Sequence, residues 1–180
     1  MKLAVAGEIR SGKDTVCDYI KTKFDEMQTL YFAEGIAEII ERFFPEAWYS
    51  EGKPRWHYQE IGQKLREVNP DVWVTYTNSK YKKLQDAGFN NFICTDLRQP
   101  NEYQWLKDQG FIVIKVEADP EVRLERMKKA GDKGDMQALL HPVEQQIKHL
   151  KYDYLITNNT TLEDLYKQVD FVLKEERGNS

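Results

Sequence analysis

The segment VAGEIRSGKDT, Val5 to Thr15, constrains this chain more than any other. Gly7 and Gly12 are separated by four residues and followed by Lys13, a spacing that lets successive backbone N–H groups converge on phosphate oxygens while the lysine adds a point charge. Lys2 to Ala6 in front of it is short and mostly apolar, and behind it Val16, Tyr19, Ile20, Phe24 and Met27 recur at helical spacing. The pattern predicts strand, loop and helix, with the helix beginning near Lys13 and pointing its positive end at the same anion. Gly7, Arg10, Ser11, Gly12, Lys13, Asp14 and Thr15 are therefore the expected nucleotide contacts. The plain alternative is a structural turn with an exposed lysine.

Asp14 stands where such loops normally carry the serine or threonine that meets Mg²⁺. A carboxylate is itself a hard oxygen ligand suited to that ion, and Thr15 retains a hydroxyl beside it. A carboxylate close to a polyphosphate also repels it unless a metal lies between them. Asp14, Thr15 and, further on, Asp96 are the expected metal ligands, and binding should depend strongly on Mg²⁺.

The rest of the chain reads as alternating strand and helix, hence α/β. Helices are predicted over Ala33 to Phe44, stopped by Pro45, and over about Trp56 to Val68 and Asp71 to Ala87, with an aromatic and polar loop from Trp48 to Arg55. Asn91 to Thr95 reads as a buried strand, a helix then runs to about Gln109, and Phe111 to Glu117 is the next strand. Asp119-Pro120 opens another helix that runs into the Gly- and charge-rich Ala130 to Asp135. A helix from about Pro142 to Leu150, a strand Tyr154 to Thr157, a turn at Asn158-Asn159 and a helix Leu162 to Leu173 capped by Thr160 or Thr161 complete the pattern, and Lys174 to Ser180 reads as a frayed tail.

A chain of 180 residues suits a single domain, 1–180, with a helical insertion over about 33–87 and a lid over about 120–140. The net charge of −4 is spread along the chain, which argues against a nucleic-acid partner. Cys17 and Cys94 lack metal or redox spacing and read as small buried hydrophobes. No apolar run approaches membrane-spanning length and no secretory leader is evident, so a soluble cytoplasmic protein without a membrane partner is expected. Small-molecule nucleotides are the expected partners, and a homodimer is left open.

Phosphoryl transfer needs an acid to manage metal and water, and cations to neutralise phosphate charge. TDLRQPNE, Thr95 to Glu102, follows a predicted buried strand, where α/β sheets bind ligands. Asp96 is the candidate acid, Arg98 can fork onto an acceptor phosphate, and Asn101 and Glu102 can orient them. Equally, Asp96 and Arg98 could be a surface ion pair and Asn101-Glu102 simply a helix start. Upstream, Lys53 to Trp73 combines Arg55, Gln59 and Arg66 with Trp56, Tyr58 and Trp73, groups that can hold a phosphate, read a base edge or stack on a base. Aromatics at helical spacing are more often core, and His57 and His141 read as polar structural residues. Arg123 and Arg126, three apart on one predicted helix, can point at a shared anion and with Lys128, Lys129 and Lys133 read as a cationic lid. A solvated charged helix is the alternative.

Together these motifs resemble the phage-type deoxynucleoside monophosphate kinases, within the P-loop nucleoside monophosphate kinase superfamily. The matching pieces are GEIRSGKDT, YFAEGIAEII, YQEIGQKLR with DVWV, TDLRQPNE, and HPVE ahead of YDYLITNNTTLEDLYKQV, in the family's order. The resemblance implies a three-layer α/β/α P-loop NTPase fold with a central parallel sheet and a helical lid, ATP and Mg²⁺ as donor, and a deoxynucleoside monophosphate as acceptor. It places Gly7, Gly12, Lys13, Asp14 and Thr15 on ATP and metal, and Asp96 and Arg98 at the transfer centre; Lys13 and, on the physical argument for the cationic lid, Arg123 and Arg126 join them as catalytic candidates. Gln59 and Arg66 fall on the acceptor side, and Asn158 and Asn159 near the adenine. The rival expectations are a P-loop kinase for another small acceptor, such as dephospho-coenzyme A, and a nucleotide-binding regulatory module without turnover.

Overall fold

The computed structural model describes residues 1–50, 52, 54–131 and 149–178. The expected helix from Pro142, the HPVE segment with His141, Lys133, the end of the lid and Lys53 lie outside these residues. Among them, five strands form one sheet in the order β2-β3-β1-β4-β5. These are β1 (Lys2–Gly7), β2 (Gln28–Leu30), β3 (Phe92–Cys94), β4 (Ile112–Glu117) and β5 (Tyr154–Thr157). β1 runs parallel to both β3 and β4, and β4 parallel to β5, with Ala4 opposite Cys94 and Gly7 opposite Val116. Parallel pairing brings the carboxyl ends of β1, β3, β4 and β5 to one edge of the sheet, where a ligand site belongs.

Two compact units make up the chain: Met1–Thr29 with Asn90–Ser180, and Leu30–Phe89. In the first, Leu3 and Val5 of β1 face α1 (Lys13–Lys21) and α8 (Leu162–Gly178), joining Ile20, Ile114, Leu165 and Val169 in one fully buried cluster. The opposite-facing Ala4, Ala6 and Val113 are at most 1 % exposed, so the second face of the sheet is covered too. Strands buried on both faces read as continuous apolar runs, which is why they were legible without alternation. The first unit also holds α6 (Pro100–Asp108) and α7 (Pro120–Lys129). The second unit contains α2 (Glu34–Phe43), α3 (Pro45–Trp48), α4 (Arg55–Val68) and α5 (Val72–Asp86), bound by Trp73 Nε1 donating to the Gly62 carbonyl at 3.1 Å and by Lys80 on both carboxylate oxygens of Glu34 at 2.7 Å. No helix of the described residues is long and apolar enough to cross a membrane.

Several boundaries differ from expectation for local reasons. α1 stops at Lys21 rather than running to Met27, because Thr22 Oγ1 donates to the Tyr19 carbonyl and the amides of Lys23 and Phe24 turn back onto Ile20 and Lys21. Phe24 and Met27 still pack on the core from non-helical chain, which mimics helical spacing, and the short strand β2 follows unannounced. Pro45, expected only as a stop, also opens the four-residue α3. The expected frayed tail is helix as far as Gly178. Tyr154 donates to Glu176 at 2.6 Å and the Arg177 guanidinium lies 5.0 Å from the Phe24 ring, so this polar stretch has partners that its composition hides.

Candidate active site

The glycine loop connects β1 to α1 as the sequence predicts. Gly12, at the N-cap of α1, has φ +97°, and a Cβ there would run into Asn158 Nδ2. Gly7 is required for a different reason: its Cβ would lie 2.8 Å from the Val116 carbonyl oxygen on the neighbouring strand. Arg10 takes a left-handed φ of 60°, and the Ser11 amide donates to the Glu8 carbonyl at 3.1 Å, closing the turn. No side chain caps Gly12, so the loop directs the amide end of α1, with its partial positive charge, outward. That is a phosphate cradle in which the glycines supply the room.

Lys13 is the first residue of α1, and its Nζ lies 2.5 Å from Asp14 Oδ1. The Lys13 side chain is 21 % exposed and that of Asp14 89 %, so the carboxylate stands in solvent beside the cradle, free to share a hydrated ion. Among the described residues no group of three or more His, Cys, Asp or Glu side chains could hold a metal alone. One or two protein oxygens completed by phosphate and water is the ordinary Mg²⁺ arrangement, so Asp14 and Thr15 fit that ion.

The cradle is held from behind. Asn158, just past β5 and 6 % exposed, donates through Nδ2 to the Ser11 carbonyl at 2.8 Å, while its own amide donates to the Glu117 carbonyl. Arg126 of α7 donates through Nη1 to the carbonyls of Arg10 and Ser11 at 3.3 and 3.5 Å, and through Nη2 to the Asn158 carbonyl and Oδ1 at 2.9 and 3.2 Å. Arg123, 5 % exposed, instead places Nη1 3.1 Å from Glu8 Oε1. The two arginines expected to share one anion therefore part: Arg126 grips loop carbonyls, and Arg123 meets the loop's own carboxylate. Asn159, expected near adenine with Asn158, accepts from the Asp119 amide at 2.7 Å and so fixes the start of α7.

Beside the cradle, at the end of β3, Asp96 is half-buried and Arg98 exposed. Cys94 Sγ lies 3.8 Å from Asp96 Oδ1, and burial, followed by the negative charge of Asp96, pushes the Cys94 thiol well up, so it stays neutral. Glu102 is 2 % exposed, and its Oε2 accepts from the amides of Arg98 and Gln99 at 2.8 and 2.9 Å in a capping box at the start of α6. The structure thus places Glu102, expected to help orient Asp96 and Arg98, with Oε2 on the amides of Arg98 and Gln99, where it fixes the backbone that carries Arg98. Asn101, one residue earlier in α6, is half-buried.

In the second unit, Arg55, Gln59 and Arg66 lie on one face of α4 at spacings i, i+4 and i+11, with Arg55 and Gln59 exposed and Arg66 half-buried. Trp73 is 3 % exposed and spent on Gly62, so it is core, whereas Trp56 is 65 % exposed.

Sequence reasoning overlooked Glu8. Its signal was available: a carboxylate inside a phosphate loop demands a nearby cation, and α7 carries one.

The sequence profile of the deoxynucleotide monophosphate kinase family matches residues 55–169. The curated proteins contain no match. Similar solved structures include a Thermus thermophilus protein, 20 % identical with 96 % of each chain covered and a TM-score of 0.58. A dephospho-CoA kinase from Campylobacter jejuni is 16 % identical, with 99 % of this chain and 98 % of that one covered at a TM-score of 0.55. A shikimate kinase from Bacteroides thetaiotaomicron is 14 % identical, with 97 % of both covered at 0.54. These likenesses establish the fold.

Proposed function

The chain belongs to the deoxynucleotide monophosphate kinase family and is a phosphotransferase, and from that premise we propose that it transfers the γ-phosphoryl group of ATP to a deoxynucleoside monophosphate. The observation that carries this reading is the cradle itself: an uncapped helix end, a left-handed Gly12 and Lys13 as the first helical residue.

In this reading the amide end of α1 and the loop amides not spent on the Ser11–Glu8 turn hold the donor phosphates, and Lys13 balances charge on the transferring group. Asp14 and Thr15, with Asp96 across the neighbouring strand end, would hold Mg²⁺. When bound, that ion supplies charge neutralisation on the donor phosphates. Arg98, its backbone fixed by Glu102, orients the acceptor phosphate, whose oxygen attacks the γ-phosphorus in line as ADP leaves. Arg55, Gln59 and Arg66, presented together on α4, are assigned to the acceptor nucleotide. No general base is required, because a phosphate monoester oxygen is already a competent nucleophile.

The test is ADP release with ATP and Mg²⁺ against a panel of deoxynucleoside and nucleoside monophosphates, with Lys13→Ala as the blank. Turnover on one or a few deoxynucleotides, lost in the variant, supports the reading and identifies the base. Silence across the panel with ATP still bound overturns the choice of acceptor, and dephospho-coenzyme A is then the next acceptor to try.

A further inference from the structure

We propose that Glu8 and Arg123 form a charge-compensating pair that sets nucleotide affinity, with Arg123 cancelling a carboxylate that the phosphate loop carries within itself. The inference rests on the nucleotide-kinase reading above and concerns how the same loop tolerates its ligand. Glu8 directly follows Gly7, and its side chain is only 14 % exposed, so water screens its charge poorly. An unopposed carboxylate there would repel every phosphate entering the cradle. Arg123 supplies the opposing charge from α7, with Nη1 3.1 Å from Glu8 Oε1 and its side chain 5 % exposed.

The contact is electrostatic in character. The two charges lie 3.1 Å apart with both side chains largely shielded from water, and Arg123 Nη1 and Nε form no geometrically aligned hydrogen bond. A buried guanidinium with donors unspent is costly, and a fold keeps such a pair where charge rather than packing is at stake. Arg126 cannot substitute: one turn further along α7 its guanidinium is spent on the carbonyls of Arg10, Ser11 and Asn158 and on Asn158 Oδ1. Arg123 is accordingly a positioning and compensating residue that acts on nucleotide through Glu8.

Calorimetric titration of MgATP into the full chain, with thermal unfolding measured in parallel, tests the pair. R123M is expected to weaken MgATP binding by roughly tenfold, E8Q/R123M to regain most of that loss, and E8Q alone to bind at least as tightly as the wild type. Rescue by removing the opposite charge is a result that a packing role would not give. A double variant as weak as R123M overturns the proposal and makes Arg123 a direct phosphate ligand. Lowered melting temperatures with unchanged affinity in every variant also overturn it. If R123M does not fold, E8Q decides alone, since a fall in its MgATP affinity contradicts compensation and a retained or tighter affinity supports it. A wild type that binds no MgATP would instead sink the kinase reading itself, whereas a binding wild type without rescue sinks only the pair.

Discussion

Asn158 Nδ2 donates to the Ser11 carbonyl at 2.8 Å, tying the end of β5 to the phosphate loop across 147 positions of sequence. The same amide group occupies the space that a Cβ on Gly12 would need, so the glycine and the asparagine form one device. Asn158→Ala takes from the Ser11 carbonyl its shorter hydrogen bond and from Arg126 the Oδ1 acceptor, and should cost about 1–3 kcal/mol in urea unfolding. MgATP affinity should fall with it, because the loop loses its rear support. Gly12→Ala should be worse on both counts, since it adds left-handed strain to the same collision. Unchanged affinity in Asn158→Ala would show that the loop keeps its shape without the brace.

Glu102 fixes the backbone under Arg98. Glu102→Ala removes the acceptor of two part-buried amides and should cost about 1–3 kcal/mol, while Glu102→Gln, which keeps one acceptor oxygen, should cost less. The kinetic signature is a fall in kcat with KM for ATP little changed, because the damage lies beside the phosphate cradle and not in it. A loss confined to KM for ATP would place Glu102's influence elsewhere.

Four of the strands, the glycine loop and most helices were legible in the sequence because their signals are local. A buried parallel strand is an apolar run, Gly7 and Gly12 mark the cradle by spacing, and the turns at Gly88 and Gly110, with φ +94° and +77°, follow their helices directly. What was not legible is long-range. That Arg123 meets Glu8 while Arg126 meets carbonyls depends on how α7 is set against β1, which no periodicity encodes. Asn158 looked like part of a turn, yet its side chain braces a loop at the far end of the chain. Glu102 carried its own marker, since Gln99 and Glu102 have capping-box spacing, but a functional motif overlaid it. β2 escaped because three residues paired at a sheet edge carry too little pattern to register.

Both cysteines are buried, and burial is the main cause pushing the Cys17 thiol up to about 12 and the Cys94 thiol well above its ordinary value. Neither is thiolate near neutral pH, and only the thiolate reacts. Labelling with an aromatic disulfide reagent at pH 8 should be negligible in the native protein and reach both thiols on denaturation. Its rate should rise with added urea in step with the unfolding transition. Rapid labelling of the native chain would contradict the burial of these side chains.

Thr161 caps α8: its Oγ1 accepts from the Asp164 amide at 3.2 Å and donates to Asp164 Oδ2 at 2.9 Å. Hydrogen bonds from the Thr161 hydroxyl and then from Thr160 hold the Asp164 carboxyl below its usual range. A depressed folded-state value means that the bond stabilises fully above the unfolded aspartate range of about 3.9 and is lost as pH falls through the lower folded value. Thr161→Ala should therefore raise the Asp164 titration midpoint seen by NMR and flatten the acid limb of the stability profile. An unmoved midpoint would mean that the cap does not act on the carboxylate.

Asp14 exposes 89 % of its side chain beside Lys13, so its contribution should be read out in metal dependence rather than in stability. Without a divalent ion its charge opposes the donor phosphates, and with one it becomes a ligand. Asp14→Asn removes both effects, which gives the prediction opposite signs under two conditions. ATP measured with chelator should bind the variant more tightly than the wild type, while MgATP should bind the variant more weakly, each by several-fold up to roughly tenfold. Asp14→Ser, which restores a hydroxyl at this position, should lose the chelator-sensitive repulsion and keep more of the MgATP affinity. Equal shifts with and without Mg²⁺ would mean that Asp14 acts only by restraining Lys13, since a change in the lysine's freedom takes no account of whether a metal is present.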